Sequence, residues 1–338
     1  MKTKQLNQGN LVTFLDSIKQ AGKIIIAPRR IGDKIYFSSV DSWDQIEFNY
    51  IQSTLSVKAA IFPRLETLLQ YNGDAKIMTV QDAIIPDKEI VVLGLHPCDA
   101  AAFDYISEFF AEGITDTYIQ KRRSKITLIT LGCKKADEAC FCTSVGLGPG
   151  AVQGSDLVLT EVKNGDYYVE VLTPKGEVLI ESARDLFLDC AEIDKTPFLA
   201  QVPQRFDLRL LQEKLANCYD DPAWKTHSLP CLGCGACAFV CPSCTCFDIQ
   251  DEGTSFNGVR LRGWDSCGFP LFTLHASGHN PRPVQSQRWR QRLMHKFVYS
   301  KNKNHDSSCV GCGRCLRSCP AQVSIIEQMQ MFNLAGVK

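Results

Sequence analysis

The chain has 338 residues, 45% of them hydrophobic, and its 37 basic side chains balance 37 acidic ones. This composition excludes extended disorder and gives no overall attraction to nucleic acid or to an anionic membrane surface. The start lacks the apolar segment of a secretion signal, no apolar run could span a bilayer, and the 17 cysteines therefore predict metal ligation in a cytoplasmic protein.

Residues 1–204 are predicted to form an α/β domain with a partly parallel sheet. Short strands are expected at residues 23–27 and 34–37. Two nearly continuous apolar runs, at residues 89–95 and Ile126–Leu131, are typical of strands buried on both faces. Residues 100–110 have apolar side chains at helical spacing, so this region predicts a parallel βαβ unit.

The segments that follow are predicted from alternation and composition. Residues 156–181 alternate apolar and polar side chains around turn residues, which predicts a β-meander or a pair of hairpins. Residues 207–216 and the basic stretch 285–299 are predicted helices, and residues 205–338 otherwise show little strand pattern. The predicted class is therefore α+β, with a C-terminal, mainly α-helical ferredoxin-like domain that spans residues 205–338.

A 12-residue repeat begins at Cys231 and again at Cys309, and both copies follow C-x2-C-x2-C-x3-C-P. In this pattern three thiolates hold one [4Fe–4S] cluster, and the fourth reaches the cluster of the other run. Structural zinc fits two identical four-cysteine runs poorly. We therefore expect two [4Fe–4S] clusters with exchanged fourth ligands. The predicted ligand sets are Cys231, Cys234, Cys237 and Cys319 for one cluster, and Cys309, Cys312, Cys315 and Cys241 for the other.

Four further cysteines predict a third [4Fe–4S] cluster in the N-terminal domain. Cys98 and Cys133 each follow one of the two predicted buried strands, and Cys140 and Cys142 lie on the next loop. Ligands in open α/β sheets bind beyond the carboxyl ends of the strands, where these thiols would meet. A zinc site, a redox dithiol or buried cysteines without a ligand are the alternatives.

Cys244, Cys246 and Cys267 could ligate an additional centre, but three cysteines leave it one ligand short. His275 or His279 could complete it, and buried thiols that shield the clusters are an equal alternative. The basic segment at residues 275–297 could raise the potential of nearby clusters through its cations. A solvated helix face and nucleic-acid binding are the alternatives for that segment.

No substrate chemistry is evident in the sequence, and no catalytic residue is predicted. The run GLGPGA at residues 146–151 matches a dinucleotide-binding pattern by letter, but a proline interrupts it and a strand pattern follows. No flavin or nicotinamide site is therefore expected in this chain. The sequence predicts an electron carrier whose substrate is bound elsewhere.

Together, the motifs resemble a known group of iron–sulfur subunits. The sequences HPCD, KRR before ITLITLGC, CFC, CPSCTC, WDSC, HASGHNPRP and CVGCGRC are similar to the β subunit of cytoplasmic sulfhydrogenases. They are about as similar to the iron–sulfur subunit of anaerobic sulfite reductases, and related subunits accompany flavin oxidoreductases linked to heterodisulfide reductase. The resemblance covers residues 10–325 approximately, and it also favours the cluster in the N-terminal domain.

The resemblance implies an electron-transfer subunit that docks on a partner binding FAD and NAD(P). That partner would exchange electrons, through the clusters, with a catalytic subunit of [NiFe] hydrogenase, sulfite reductase or heterodisulfide reductase type. The motifs present are shared among these relatives, so they do not choose the terminal reaction. A self-sufficient reductase is the alternative class.

Overall fold

The computed structural model describes residues 2–300 and 305–334. The strands of this part are β1 (Lys2–Leu6), β2 (Ile24–Ile31), β3 (Lys34–Ser39), β4 (Leu65–Gly73), β5 (Met78–Asp82), β6 (Ile90–Leu95), β7 (Ile126–Leu131), β8 (Leu157–Glu161), β9 (Tyr167–Val171), β10 (Phe187–Asp189), β11 (Phe247–Gly253) and β12 (Asn257–Trp264). The α-helices are α1 (Leu11–Gln20), α2 (Pro97–Phe109), α3 (Thr117–Lys125), α4 (Pro174–Glu181), α5 (Leu208–Asn217), α6 (Ala223–Ser228), α7 (Ala236–Phe239), α8 (Gln285–Met294), α9 (Arg314–Arg317) and α10 (Ile325–Leu334).

The larger sheet has the order β10-β1-β9-β8-β7-β6-β2-β3. Strands β2, β6, β7 and β8 are parallel neighbours, and α2 and α3 connect β6 to β7. The predicted parallel βαβ unit and the partly parallel sheet are therefore confirmed.

Strand β7 shows why this sheet is buried on both faces. Its side chains alternate between two apolar clusters, with Ile129 and Leu131 on the face of α1 and Ile126 and Leu128 on the face of α2. Each fully buried side chain of this kind stabilises the fold by about 1.5–3 kcal/mol relative to exposure. This rigid centre holds the loops at the carboxyl ends of β6 and β7.

The predicted meander at residues 156–181 is correct for the β8–β9 hairpin and wrong for its last segment. Residues Pro174–Glu181 form α4, which begins after Thr173. The Thr173 side chain accepts a hydrogen bond from the Gly176 amide at 3.4 Å, and Pro174 occupies the first helical position. These are helix-start features, and they override the short alternation in this segment.

A second sheet, of order β11-β12-β4-β5, corrects the expectation that the C-terminal half contains little strand. Strand β12 pairs antiparallel with β4, from Asn257 opposite Asn72 to Gly263 opposite Leu65. Because β11 is almost wholly exposed and rich in polar residues, its sequence lacks an apolar pattern. The sheet combines strands from both sides of residue 204. The predicted domain boundary at that residue stays a prediction.

The remaining C-terminal part is mainly helical, as predicted. Helix α5 begins after Asp207, whose carboxylate accepts a hydrogen bond from the Leu210 amide at 2.8 Å, and α8 continues as a π-helical turn through His295–Tyr299. Leu211, Trp289 and Phe297 pack in one apolar cluster between these helices. Within residues 2–300 and 305–334, no helix is both long enough and apolar enough to cross a bilayer.

Candidate metal centres

The two cysteine runs fold alike, which agrees with their repeated sequence. The first glycines, Gly233 and Gly311, have φ of +68° and +63°, and the second glycines, Gly235 and Gly313, have φ of +72° and +71°. Only glycine adopts this left-handed conformation without steric cost. Each second glycine caps a four-residue helix, α7 or α9, so each loop presents its thiols in the same way.

The first candidate site lies between the loop that begins at Cys231 and the end of the second run. A single cavity there is lined by the four predicted thiols, Cys231, Cys234, Cys237 and Cys319. Cys315, which is predicted for the other cluster, also lines it. The Gln285 side-chain amide donates to Cys231 Sγ at 3.1 Å, and the Val323 amide donates to Cys319 Sγ at 3.2 Å. The fold thus brings the fourth cysteine of one run to the first three of the other.

The second candidate site combines Cys309, Cys312 and Cys315 with Cys241. The four thiols lie close enough for their charges to influence one another. Burial raises the pKa of Cys309 to about 12. Burial also opposes ionisation of Cys241, but Lys296, followed by Arg292 and Lys58, lowers the pKa of that thiol to about 7. Buried cations therefore stabilise negative charge on this site.

The third candidate site lies at the carboxyl ends of β6 and β7, as expected. Cys98 is in the first turn of α2, and Cys133 follows β7 by two residues. One cavity is lined by all four predicted thiols, Cys98, Cys133, Cys140 and Cys142, and also by Cys312. Burial raises the pKa of Cys142 to about 11 and that of Cys98 well above its usual value. Such thiols ionise when a metal centre neutralises their charge, so this donor set fits a cluster.

The third site and the second ferredoxin loop are in direct contact. The Phe141 amide donates to the Gly311 carbonyl at 2.9 Å. A Cβ atom on Gly311 would lie 2.5 Å from the backbone nitrogen of Cys142, which explains why this loop needs glycine there. The Gln52 side-chain amide donates both to Cys98 Sγ at 3.5 Å and to the Cys312 carbonyl at 3.3 Å. No motif in the sequence identified Gln52, because its role depends on residues far away in the chain.

A buried ion pair also joins these two sites. Arg314 Nη2 lies 2.8 Å from Asp99 Oδ2, and both side chains are 1% exposed. Arg314 also donates to the Ser53 carbonyl and hydroxyl. Its Nη1 is buried without a partner among the described residues. Although burial disfavours its charge, the Asp99 carboxylate, followed by Cys312 and Cys98, raises the pKa of Arg314. The ion pair therefore fixes the second ferredoxin loop against the first turn of α2, which carries Cys98.

The structure brings Cys244, Cys246 and Cys267 together but leaves the predicted histidines apart from them. His275 and His279 are exposed, and their rings contact each other with centroids 5.4 Å apart. Among the described residues, no imidazole lies with two of these thiols inside a 4.8 Å ligand group. An additional centre completed by histidine therefore stays a prediction without structural support.

The basic segment contributes buried cations, in agreement with its predicted position beside the clusters. Arg292 is 5% exposed, and its Nη2 donates to the Cys237 carbonyl at 2.7 Å. Although burial disfavours its charge, Cys237, Cys241 and Cys315 raise the pKa of Arg292 well above its usual value. Arg292 therefore lies between thiols of the first and second candidate sites.

We expect Arg292→Gln to lower the midpoint potential of at least one cluster, because a cation stabilises the more negative reduced form. A tenfold change in a one-electron equilibrium corresponds to about 59 mV, and we expect a shift of this order. Redox titration followed by electron paramagnetic resonance measures it. Arg209→Gln, which changes an exposed arginine of α5, is the control. Equal potentials in the two variants would contradict the assignment.

Comparisons with known proteins agree with the iron–sulfur nature of the two ferredoxin-type cysteine runs. A model of the 4Fe–4S dicluster domain matches residues 230–323. The chain is 29% identical over 335 residues to sulfhydrogenase 2 subunit beta of Pyrococcus furiosus, and the match covers 97% of each chain. No solved structure gives a significant match. The chain therefore contains a 4Fe–4S dicluster domain, and its resemblance to sulfhydrogenase β subunits is confirmed along nearly the whole sequence.

Proposed function

We propose that this chain is the iron–sulfur electron-transfer subunit of a sulfhydrogenase-like complex, with three [4Fe–4S] clusters. It relays electrons between a partner that binds FAD and NAD(P) and a catalytic subunit of [NiFe] hydrogenase type. The observation that carries the proposal is the clustering of the twelve predicted ligand cysteines into three adjoining sites. The relative's name, sulfhydrogenase, favours hydrogenase over the sulfite reductase and heterodisulfide reductase alternatives.

The second candidate site is the middle one of the three. Cys315 lines the cavity of the first site, and Cys312 lines the cavity of the third. No cysteine of the first set lines the third cavity. The three proposed centres therefore lie in a row, which runs from the site of the Cys231 loop, through the site of the Cys309 loop, to the site in the N-terminal domain. Bound clusters supply one-electron carriers in this order, and the protein holds them in place and controls their potentials.

Polar groups of the chain are arranged to stabilise charge at the first and third sites. The donors to cysteine sulfur come from Gln285 and Val323 at the first site, and from Gln52 at the third. Arg317 Nη2 also donates to Cys140 Sγ at 3.2 Å. Hydrogen bonds to cluster sulfurs and nearby cations raise the reduction potential.

The first site reaches the protein surface, where a redox partner can approach. Cys234 is exposed, and Leu232 beside it is 70% exposed. An exposed apolar side chain next to a ligand suits close docking of another protein, because it excludes water from the contact. We therefore assign one of the two proposed partners to this end of the chain.

Metal analysis of the anaerobically purified protein tests the proposal. We expect about twelve iron atoms per chain and a broad absorption band near ~400 nm that bleaches on reduction. Copurifying subunits should include one that binds flavin and one that contains nickel. Stoichiometric zinc with iron well below eight atoms per chain would contradict the proposal.

A further inference from the structure

Three cysteines outside the proposed cluster sites form a contact group beside them. The Cys246 thiol lies close enough to the thiols of both Cys244 and Cys267 for each to influence the ionisation of its neighbour. Cys246 directly precedes β11, and Cys267 follows β12 by three residues. The β11–β12 ladder ends with Phe247 opposite Trp264, and the Asp265 amide donates to the Cys246 carbonyl at 3.1 Å. The hairpin therefore positions Cys246 and Cys267 together.

The arrangement of these thiols favours sulfur–sulfur chemistry over metal binding. Thiolates that hold a cubane are separated by the cluster between them, whereas Cys246 contacts its neighbours directly. Three thiols also leave a metal ion one ligand short of the usual four. Cys244 and Cys267 are 6% and 8% exposed, so external oxidants have little access to them.

The group adjoins both ferredoxin-type sites and several buried cations. Cys267 lies near enough to Cys237, and Cys244 near enough to Cys241, for their charges to interact. The Lys58 ammonium donates to the Cys244 carbonyl at 3.1 Å. The Cys246 thiol, and then Arg292, lower the pKa of Cys267 against the effect of burial. A thiolate at Cys267 is the form that attacks or leaves a disulfide.

We propose that Cys246 and Cys267 form a reversible intramolecular disulfide that exchanges two electrons with the adjoining clusters. The inference rests on the proposed function for its supply of electrons. Reduction breaks the S–S bond, consumes two electrons and one proton, and leaves the Cys246 thiol and the Cys267 thiolate. The two electrons come one each from two reduced [4Fe–4S] clusters, which return to their oxidised state. The pair thus links one-electron carriers to a two-electron store.

Trapping of thiols in the intact holoprotein tests the proposal. The protein is equilibrated anaerobically at set potentials, alkylated, denatured and digested, and peptides containing Cys246 and Cys267 are identified by mass spectrometry. We expect the linked peptides at high potential and the alkylated peptides at low potential, with a tenfold change in ratio per ~30 mV. Full alkylation at every potential, in protein that retains its visible band, would overturn the proposal.

Counting electrons provides a second measurement that does not depend on peptide recovery. Reductive titration of the oxidised wild type should consume two more electrons per chain than Cys267→Ala, whose substituted residue lies outside both cysteine runs. Cys190→Ala, which removes a cysteine distant in sequence from the group, should behave as wild type. Equal uptake by wild type and Cys267→Ala would overturn the disulfide. Absence of the visible band in the wild type would instead overturn the proposed function.

Discussion

Arg314→Met is expected to destabilise the protein by about 3–5 kcal/mol. The substitution leaves the Asp99 carboxylate buried without its partner, and removing one member of a buried ion pair carries a cost of this size. It also removes two hydrogen bonds to Ser53. The midpoint of anaerobic urea unfolding measures the change. The third cluster should be lost first, because Asp99 directly follows Cys98.

The matched control is Arg260→Met on the second sheet. Arg260 also makes a two-pronged contact with a carboxylate, that of Asp251, but both side chains are 47% exposed. Exposed pairs contribute about 0–1 kcal/mol. A loss in Arg314→Met no larger than that in the control would contradict the proposed importance of burial. Asp99→Asn combined with Arg314→Met should recover part of the stability, because it removes the unpaired charge.

Cys319→Ala is expected to remove the cluster of the first cysteine run, although Cys319 itself belongs to the second run. The Cys319 thiol lines the cavity of the first site, so its loss leaves three thiolates there. Iron content should fall by about four atoms per chain. Alkylation followed by peptide mapping should show Cys231, Cys234 and Cys237 newly reactive, with Cys309 and Cys312 still protected.

The complementary variant Cys241→Ala should give the reverse pattern. Cys241 belongs by sequence to the first run, yet its thiol interacts with Cys309, Cys312 and Cys315. Its removal should expose the second loop to alkylation and leave Cys231 protected. If each substitution exposed only the cysteines of the run that contains the substituted residue, the predicted exchange of fourth ligands would be wrong. Cys190→Ala serves as the control for both.

Local patterns in the sequence were sufficient to predict most of the central architecture. The runs that became β6 and β7 are apolar throughout because both faces are buried, and together with the helical pattern between them they identified a parallel pair. The strand ends then predicted that Cys98 and Cys133 would meet. The repeated spacing of the ferredoxin runs likewise predicted paired loops, since identical spacing imposes the same backbone conformation.

The features that sequence reasoning missed depend on distant contacts. Strand β11 lies at an exposed edge and is polar after Ile249, so its apolar alternation is too short to identify a strand. Gln52 and Arg314 acquire their roles only when the third site meets the second loop. The separation of His275 and His279 from the three extra thiols was also beyond sequence reasoning, because residue type alone does not fix where a loop points.

The pairing of β12 with β4 has a consequence for the order in which the protein matures. The paired residues are separated by about 190 positions, and contacts of such long range form slowly. Strand β12 is followed in the chain by Cys267 and then by α8, which carries Arg292. The surroundings of the ferredoxin loops are therefore complete only after β12 has paired with β4. Iron delivered to a nascent chain would reach cysteine loops that are not yet surrounded by the side chains that bury them in the folded protein. We therefore expect cluster insertion to follow this closure, and we expect a truncated C-terminal half to be a poor acceptor of clusters.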